Sequence, residues 1–559
     1  MSFLSMKFLL FLAAAVAGYY VIPKRVQWVW LLIFSYLFYL ASGPAAAVFI
    51  LTTTAVTFIA GLILEREDQR LGAALHPGAA EANPGAGGPS VGAGGPIIGA
   101  GRPSIGAGGP APLPAPGPEQ KKALKERAKR RKKWVAASVL FINFGILAAL
   151  KYRNFAVENV NILFGTDFAA ARLLLPLGIS FYTFQSMGYL IDVYRGKYAP
   201  DHNFFRFALF VSFFPQILQG PIGRYDRLSS QLFGRRSFSL TRIEQGLQLM
   251  MWGYFKKIVI ADRAAVVVNE VFGNYQSYSG LVVIAGVLCY SIQLYGDFSG
   301  GMDVVMGASE CFGISLDPNF KRPYFARSIS DFWHRWHITL GAWMKDYVFY
   351  SFSLSKGMNR FGKYCKRHFG KHISRVLPVC IANLLVFFLV GVWHGPAWKF
   401  IVYGLYNGVI IAASSLLAPI YQKGAKALRI PAQSRFWTAV QILRTFLLVN
   451  ISWYFDMAES LGAALSMMKN TVTGFTGSAL SDGSLLRLGL DQKDYLALAL
   501  SCGVLFIVSL LEENHVEIRS SLAAKPLAVR WCLYLLLLFS IPMLGQITLT
   551  GGGFIYAQF

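Results

Sequence analysis

The chain of 559 residues has few charged side chains. Asp, Glu, Lys and Arg make up only 14% of it, whereas hydrophobic residues make up 55%. A soluble domain has nearer a quarter of its residues charged. Apolar runs of about 18 residues or more recur from end to end, and each is long enough to cross the hydrocarbon core as a helix. The composition therefore predicts an all-α, polytopic integral membrane protein.

Cysteine is also scarce, with six residues in the chain and no C-x-x-C spacing. This scatter argues against a disulfide framework and against a zinc site. The sequence contains no P-loop and no H-E-x-x-H motif. His368 and His372 are four residues apart, but the lysines and arginines around them oppose a metal ion. We therefore expect no metal site.

The chain has only 28 Asp and Glu against 53 Lys and Arg, so its net charge is +25. Such a charge can indicate nucleic-acid binding. In a membrane protein, however, Lys and Arg gather in the cytoplasmic loops. Nine of the thirteen residues 121–133 are basic. The segment from Lys321 to Arg375 has twelve basic residues and only two acidic ones, Asp331 and Asp346. We expect these segments to be cytoplasmic, with no nucleic-acid partner.

Hydropathy predicts eleven or twelve spanning helices, with both termini outside if the number is twelve. The segment 204–222 is apolar but is broken by Pro215, Gly220 and Pro221, which predicts a re-entrant element buried in protein. The predicted spans are 6–22, 28–41, 44–64, 134–150, 173–191, 244–266, 280–297, 377–394, 399–418, 436–455, 494–511 and 526–545.

Residues 85–110 form a seven-residue Gly/Pro repeat. The repeat contains a formal G-x-S-x-G sequence at residues 88–92. A nucleophile elbow needs a strand before its serine and a helix after it, and a Gly/Pro repeat supplies neither. We interpret the repeat as a flexible linker.

The stretch 331–350, "DFWHRWHITLGAWMKDYVFY", is rich in His and Trp. Ser328 followed by Asp331 predicts a capped helix start. Helical spacing would place an apolar stripe on one face (Phe332, Trp336, Leu340, Trp343 and Tyr347) and His334, His337, Gly341 and Lys345 on another. Two interpretations stay open: an amphipathic anchor on the membrane surface, or the wall of a site that Gly341 leaves accessible.

His394 ends the predicted span 377–394, within "FLVGVWHGPAWKF". An ionisable residue inside a membrane span is costly and is a functional hypothesis by default. The alternative is a histidine that is hydrogen-bonded within the helix bundle. Gly391 and Gly395, on either side, favour a cavity at this position.

"SISDFWHRWHITLGAWMKDYVF" and the later "GVWHG" resemble the paired motifs of the membrane-bound O-acyltransferase (MBOAT) family. Further similar stretches cover most of 176–408, and they are most similar to the membrane proteins of bacterial polysaccharide O-acetylation, including that of alginate. The resemblance implies helices around a central tunnel, with re-entrant and interfacial elements. It divides the chain into N-terminal helices (1–64), a cytoplasmic Gly/Pro-rich and basic linker (65–133), a catalytic core (134–420) and C-terminal helices (421–559).

The resemblance implies an enzyme of the bacterial inner membrane, with no bound cofactor. It would move an acyl group, most simply acetyl from acetyl-CoA, to hydroxyls of an extracytoplasmic polysaccharide, directly or through an exported partner protein. One alternative is D-alanyl transfer to teichoic acids from a carrier protein. A transporter or flippase is a further alternative.

By the same resemblance, His394 is the catalytic base and His337 the second essential histidine. Donor and substrate binding is expected from Arg335, Trp336, Gly341, Lys345, Trp393 and Asn407. Two positions depart from the family pattern. His334 stands where the family usually has Arg, and Asn407 stands where related proteins often have His. We therefore expect Asn407 to be an orienting hydrogen-bond partner, with no role as an acid or a base.

Overall fold

The computed structural model describes residues 3–41, 43–76, 116–171, 173, 175–217, 219–431, 434–475, 477–546 and 554. This part of the chain is helical, and its one β-type contact is an isolated bridge between Phe320 and Trp336. The predicted all-α fold is confirmed. The Gly/Pro repeat at 85–110 lies outside the described residues.

Twenty-two α-helices are described. The first eleven are α1 (Met6–Val21), α2 (Gln27–Leu40), α3 (Ala47–Leu75), α4 (Pro118–Phe164), α5 (Ile179–Tyr194), α6 (Phe204–Ser212), α7 (Phe214–Ile217), α8 (Tyr225–Leu232), α9 (Leu240–Tyr254), α10 (Asp262–Gly273) and α11 (Gly280–Glu310). The others are α12 (Ile329–Arg335), α13 (Ile338–Trp343), α14 (Tyr350–Ser353), α15 (Lys356–His394), α16 (Trp398–Leu416), α17 (Ala418–Ala427), α18 (Arg435–Met457), α19 (Leu461–Thr473), α20 (Gln492–Glu513), α21 (Ile518–Ala523) and α22 (Leu527–Leu544). Two π-helical segments, Phe255–Ala261 and Met344–Phe349, interrupt the series.

Seven helices are long and apolar enough to cross a membrane: α3, α4, α11, α15, α16, α20 and α22. Each coincides with a predicted span, so these seven predictions are confirmed. The other five predicted spans are helical too, at α1, α2, α5, α18 and the interrupted run from α9 to α10. The chain is therefore a multi-pass membrane protein, and the total of eleven or twelve crossings stays a prediction.

Helices extend into the predicted linker 65–133 from both ends. α3 continues to Leu75, and α4 starts at Pro118 and runs unbroken through the basic residues into the apolar span. Lys132 Nζ lies 2.6 Å from Asp68 Oδ2 and joins the two helices. The predicted linker 65–133 is thus helical at both of its ends, because basic side chains continue a helix as readily as apolar ones do.

α15 is bent back on itself at Gly370, which has a φ of +80°. A β-carbon placed at Gly362 would lie 3.7 Å from both Pro378 Cγ and Ser374 O. The segment before Gly370 therefore packs against the segment after it. We call residues 356–375 the basic hairpin.

α11 and α5 form the interior around the motif region. In α5, 14 of the 16 residues are buried, and most of α11 is buried as well. The predicted re-entrant segment 204–222 is buried at 207–217 and 219–222, and it is broken at Phe213 into α6 and α7, as that interpretation requires. These elements enclose α12 and α13, which carry the first His motif.

Candidate active site

The stretch 331–350 is not one helix. α12 begins after Ser328, whose Oγ accepts a hydrogen bond from Asp331 N at 3.1 Å, so the predicted start is confirmed. The helix ends at Arg335, and α13 begins only after His337, which has φ and ψ of 47° and 52°. The prediction of a single amphipathic helix is therefore wrong.

The apolar stripe of this stretch is nevertheless buried. None of its residues is more than 6% exposed: Phe332, Trp336, Leu340, Trp343 and Tyr347. Trp336 packs in an aromatic cluster with Phe320, Phe332 and Trp453. The apolar stripe therefore packs against protein, and the interpretation of the stretch as a membrane-surface anchor does not fit it.

His337 is held in a strained backbone conformation. A non-glycine residue in the left-handed region costs on the order of 1–3 kcal/mol and persists only where its surroundings fix it. Asn319 does so here: its backbone oxygen accepts from Ile338 N at 3.0 Å, and its Oδ1 accepts from Thr339 N at 3.0 Å. The backbone strain is thus located at His337, one of the two candidate histidines.

Asn319 also fixes the protonation of the His337 ring. Its Oδ1 lies 3.2 Å from His337 Nδ1 and is an acceptor, since it already accepts from Thr339 N. Nδ1 therefore carries the proton, and Nε2 is the basic nitrogen. Burial, with a smaller contribution from the nearby His394, lowers the pKa of His337 to about 3. His337 is thus neutral at physiological pH.

His394 ends α15 and faces a buried carboxylate. Its Nδ1 lies 3.4 Å from Asp456 Oδ1, at the end of α18. Asp456 Oδ2 accepts from Tyr290 OH at 2.7 Å, and Lys399 Nζ donates to the Asp456 backbone oxygen at 2.9 Å. This carboxylate favours a proton on Nδ1, which leaves Nε2 of His394 as the nitrogen that can accept a proton.

The carbonyls at the end of α15 are bound by α4. Lys151 Nζ donates to Trp393 O at 2.6 Å, and Tyr152 OH donates to Val392 O. Cations are favourable at a helix C-terminus because they meet the negative end of the helix dipole. The turn that carries His394 is thereby fixed by α4 as well as by the contact with Asp456.

Gly391 and Gly395 do not open the cavity that the sequence predicted around them. A β-carbon at Gly391 would collide with the Phe400 backbone oxygen, and one at Gly395 would lie 2.7 Å from Phe400 Cδ2. One at Gly404 would lie 2.9 Å from Gly391 Cα. These glycines let α15 and α16 approach closely, as small residues do between membrane helices.

The Trp393 ring is next to both histidines. Its centroid is 5.4 Å from that of His337 and 5.2 Å from that of His394. The structure thus brings together His337, Trp393 and His394, three of the residues that the sequence singled out.

A cavity of about 380 Å³ reaches His337. His334, Gly341 and Lys345 also line it, with Trp333 and apolar residues of α15. A β-carbon at Gly341 would meet only Trp333 O, at 3.6 Å, so this glycine leaves space as predicted. Neither Trp393 nor His394 is among the lining residues.

Three other predicted residues lie outside this cavity. Arg335 pairs with Asp331 Oδ1 at 2.9 Å and Glu513 Oε2 at 3.0 Å, so two carboxylates already neutralise it. Trp336 is enclosed in the aromatic cluster. Asn407 Oδ1 accepts from Trp333 Nε1 at 3.1 Å, and the residue thereby orients a wall of the cavity.

Sequence reasoning did not find Asn319 or Asp456. Asp456 had a signal: it is an acidic residue directly at the end of an apolar span, and it ends a stretch of 109 residues, 347–455, that contains no Asp or Glu. Asn319 had none, because it lies in an irregular segment with ordinary composition. Among the described residues, no group of three or more His, Cys, Asp or Glu could hold a metal ion.

Comparison with known proteins shows which family the chain is similar to. Residues 199–453 match the model of the MBOAT, membrane-bound O-acyltransferase family. The peptidoglycan O-acetyltransferase of Helicobacter pylori is 33% identical over 386 residues, covering 64% of this chain and 67% of that protein. The chain belongs to the MBOAT family.

Other members of this family are similar over shorter regions. The probable alginate O-acetylase AlgI of Azotobacter vinelandii is 34% identical over 346 residues, 61% of this chain and 63% of that protein. The teichoic acid D-alanyltransferase of Bacillus subtilis is 29% identical over 294 residues, 51% of this chain and 69% of that protein. The chain thus spans a little under two thirds of the alginate O-acetylase.

Proposed function

We propose that this protein moves an acetyl group from acetyl-CoA, bound on the cytoplasmic side of a bacterial inner membrane, to hydroxyls of an extracytoplasmic polysaccharide or cell-wall polymer. The observation that carries the proposal is the contact of 3.4 Å between His394 and Asp456, beside a cavity that ends at His337. Two relatives named for O-acetylation of alginate and peptidoglycan support an acetyl donor and a polymeric acceptor.

The reaction requires a base near a hydroxyl group. In the proposed mechanism, Nε2 of His394 removes the hydroxyl proton as the oxygen attacks the thioester carbonyl. The C–O bond forms, the C–S bond breaks, and the proton passes to the thiolate that leaves. A positioned base of this kind contributes on the order of 10²–10⁴-fold to the rate. Asp456 would stabilise the imidazolium that forms in between.

The donor would enter by the cavity at Gly341. Lys345 is the one Lys or Arg among the described residues that line this cavity. Arg335 is already paired with Glu513, so Lys345 would attract the anionic donor. His337 is neutral and keeps a basic Nε2. It would accept a hydrogen bond from the acceptor hydroxyl or orient the thioester beside Trp393.

A second candidate is D-alanyl transfer to teichoic acids, which the similarity to the Bacillus subtilis enzyme supports. It uses the same acyl chemistry but a carrier-protein thioester as the donor. Transfer through an exported partner protein is compatible with either donor.

The test uses the full chain in proteoliposomes with labelled acetyl-CoA or with a D-alanyl carrier-protein thioester. We expect thiol release and a hydroxyl ester from acetyl-CoA. His394→Ala should abolish both without reducing membrane insertion, whereas His368→Ala, at an exposed position, should keep them. Turnover of the D-alanyl thioester alone would select the second candidate, and an active His394→Ala enzyme would contradict the base assignment.

A further inference from the structure

The stretch 347–455 contains no acidic residue, although it contains thirteen lysines and arginines. Ten of the thirteen lie outside the apolar parts of the helices. Seven of the ten are on the basic hairpin and three on or next to α17: Lys356, Arg360, Lys363, Lys366, Arg367, Lys371, Arg375, Lys423, Lys426 and Arg429. All ten are exposed.

In the part of the chain that the structure describes, these side chains stand apart from acidic groups. Among the described residues, no carboxylate lies within ion-pair distance of any of the ten, whereas basic residues elsewhere pair repeatedly, as Arg227 does with Asp317. The hairpin and α17 are neighbours, because His372 Nε2 donates to Leu416 O at 3.2 Å, directly before α17. Together they form one surface, which we call the cationic surface.

The positive-inside rule explains only part of this pattern. It accounts for Lys and Arg on the cytoplasmic side, but it is not a net-charge rule, and acidic residues contribute little to it. The other predicted inside loops longer than a few residues all contain acids, for example Asp226 in 223–243 and Glu517 in 512–525. The absence of acids from the cationic surface therefore needs a further reason.

The position of the surface supplies that reason. Gly362 packs against Ser374 and Pro378, where the apolar part of α15 begins, so the hairpin lies beside the entry of that helix into the membrane. Large apolar side chains are exposed among the cations, including Tyr364 and Phe369 on the hairpin and Tyr421 and Leu428 by α17. Cations mixed with exposed aromatic and aliphatic groups are typical of the membrane–water interface.

We propose that the cationic surface binds the headgroups of anionic phospholipids in the cytoplasmic leaflet. Clusters of four to eight Lys and Arg next to a spanning helix attract such lipids by about 1 kcal/mol for each residue near the surface. The exposed aromatic side chains would lie at the level of the lipid carbonyls, while the ammonium and guanidinium groups meet the phosphates. This binding does not depend on acyl transfer.

The basic half of α4 provides a matched control. It continues the axis of its own span, which is predicted to start at Trp134, without a break. Lys122, Lys125 and Arg127 therefore lie about 10–18 Å beyond Trp134 along the helix. That distance equals or exceeds the Debye length of about 10 Å. These three exposed cations match Lys363, Lys366 and Arg367 of the hairpin in charge and in residue type.

The experiment incorporates the full chain into nanodiscs containing equal amounts of phosphatidylglycerol and phosphatidylcholine. Lipids retained by the protein after detergent exchange are then quantified by mass spectrometry. We expect the triple variant K363Q/K366Q/R367Q to lower the ratio of retained phosphatidylglycerol to phosphatidylcholine by about fivefold or more. High salt should lower the ratio for the unsubstituted protein. K122Q/K125Q/R127Q should leave it near the unsubstituted value, and K363R/K366R/R367K should retain it.

Three outcomes would overturn the proposal. The first is an unchanged ratio in the hairpin variant, and the second is an equal loss in the α4 variant, which would indicate a general charge effect. The third is weaker acetyl-CoA binding by the hairpin variant with unchanged lipid retention, which would assign the surface to the soluble donor. Circular dichroism and gel filtration establish that each variant is folded.

Discussion

His394 Nδ1 lies 3.4 Å from Asp456 Oδ1, and both side chains are 2% exposed. A buried carboxylate beside one ring nitrogen selects the tautomer and stabilises the imidazolium form. Asp456 is itself held by Tyr290 OH at 2.7 Å. We regard Asp456 as a positioning residue for His394.

Replacing Asp456 by Asn should lower kcat on the order of 10²-fold, because the amide cannot stabilise an imidazolium as the carboxylate does. KM for the donor should change much less, since Asp456 does not line the donor cavity. Initial rates of thiol release in proteoliposomes measure both constants. Asp456→Glu should recover part of the rate, and Asp482→Asn, at an exposed position, should have no effect. An unchanged kcat in Asp456→Asn would remove the positioning role.

Gly341→Leu should leave the amount of folded protein in the membrane unchanged and should abolish most acyl transfer. The cavity has room for the first atom of a side chain, 3.6 Å from Trp333 O, and leucine would then fill the path toward His337. Gly503→Leu in α20 is the control, because a β-carbon there meets no atom within 4 Å. Acyl-transfer assays normalised to the quantity of protein measure the activity of both variants. A fully active Gly341→Leu enzyme would mean that the donor does not pass this wall.

Gly391→Ala should destabilise the protein by about 1–3 kcal/mol, because the added methyl group would collide with the Phe400 carbonyl on α16. Gly503→Ala should instead be neutral or stabilising by up to about 1 kcal/mol, since alanine favours a helix over glycine. Thermal unfolding in detergent measures both changes. A tolerated Gly391→Ala would show that α15 and α16 are not held at backbone contact.

His337 should make stability depend on pH. Burial and the nearby His394 lower its pKa to about 3, whereas an unfolded histidine has a pKa of about 6.5. Between these values the unfolded chain binds the additional proton, so the free energy of unfolding falls as pH is lowered through 6.5 toward 3. His337→Gln should remove this contribution, with His368→Gln as the control for loss of an imidazole. Equal slopes of Tm against pH in the native and His337→Gln proteins would contradict it.

The spanning helices were predictable from the sequence because lipid offers the backbone no hydrogen-bond partners. Every peptide group in the hydrocarbon must find a partner within the protein, so a long apolar run becomes a helix. Among the five other predicted spans, α1, α2 and α5 are helices of only 14–16 residues. The run from α9 to α10 changes to π geometry at Phe255–Ala261, where Lys256 and Lys257 are buried.

The break at His337 was not predictable from local pattern. The apolar residues keep helical spacing across it, and no glycine or proline marks it. Asn319, eighteen residues earlier, imposes the break by binding Ile338 N and Thr339 N. The partner of His394 was missed for the same reason, because Asp456 reaches it from α18, across the bundle.

The position of Asp456 also determines which part of the chain makes up a working unit. The match to the family ends at residue 453, and the core predicted from the motifs ends at 420, so both boundaries include the two histidines and omit the carboxylate. A chimera joined at either point would receive the proposed base, His394, from one parent and the carboxylate that orients it from the other. An exchangeable unit of this protein therefore has to extend at least through α18, so that Asp456 stays with the candidate active site.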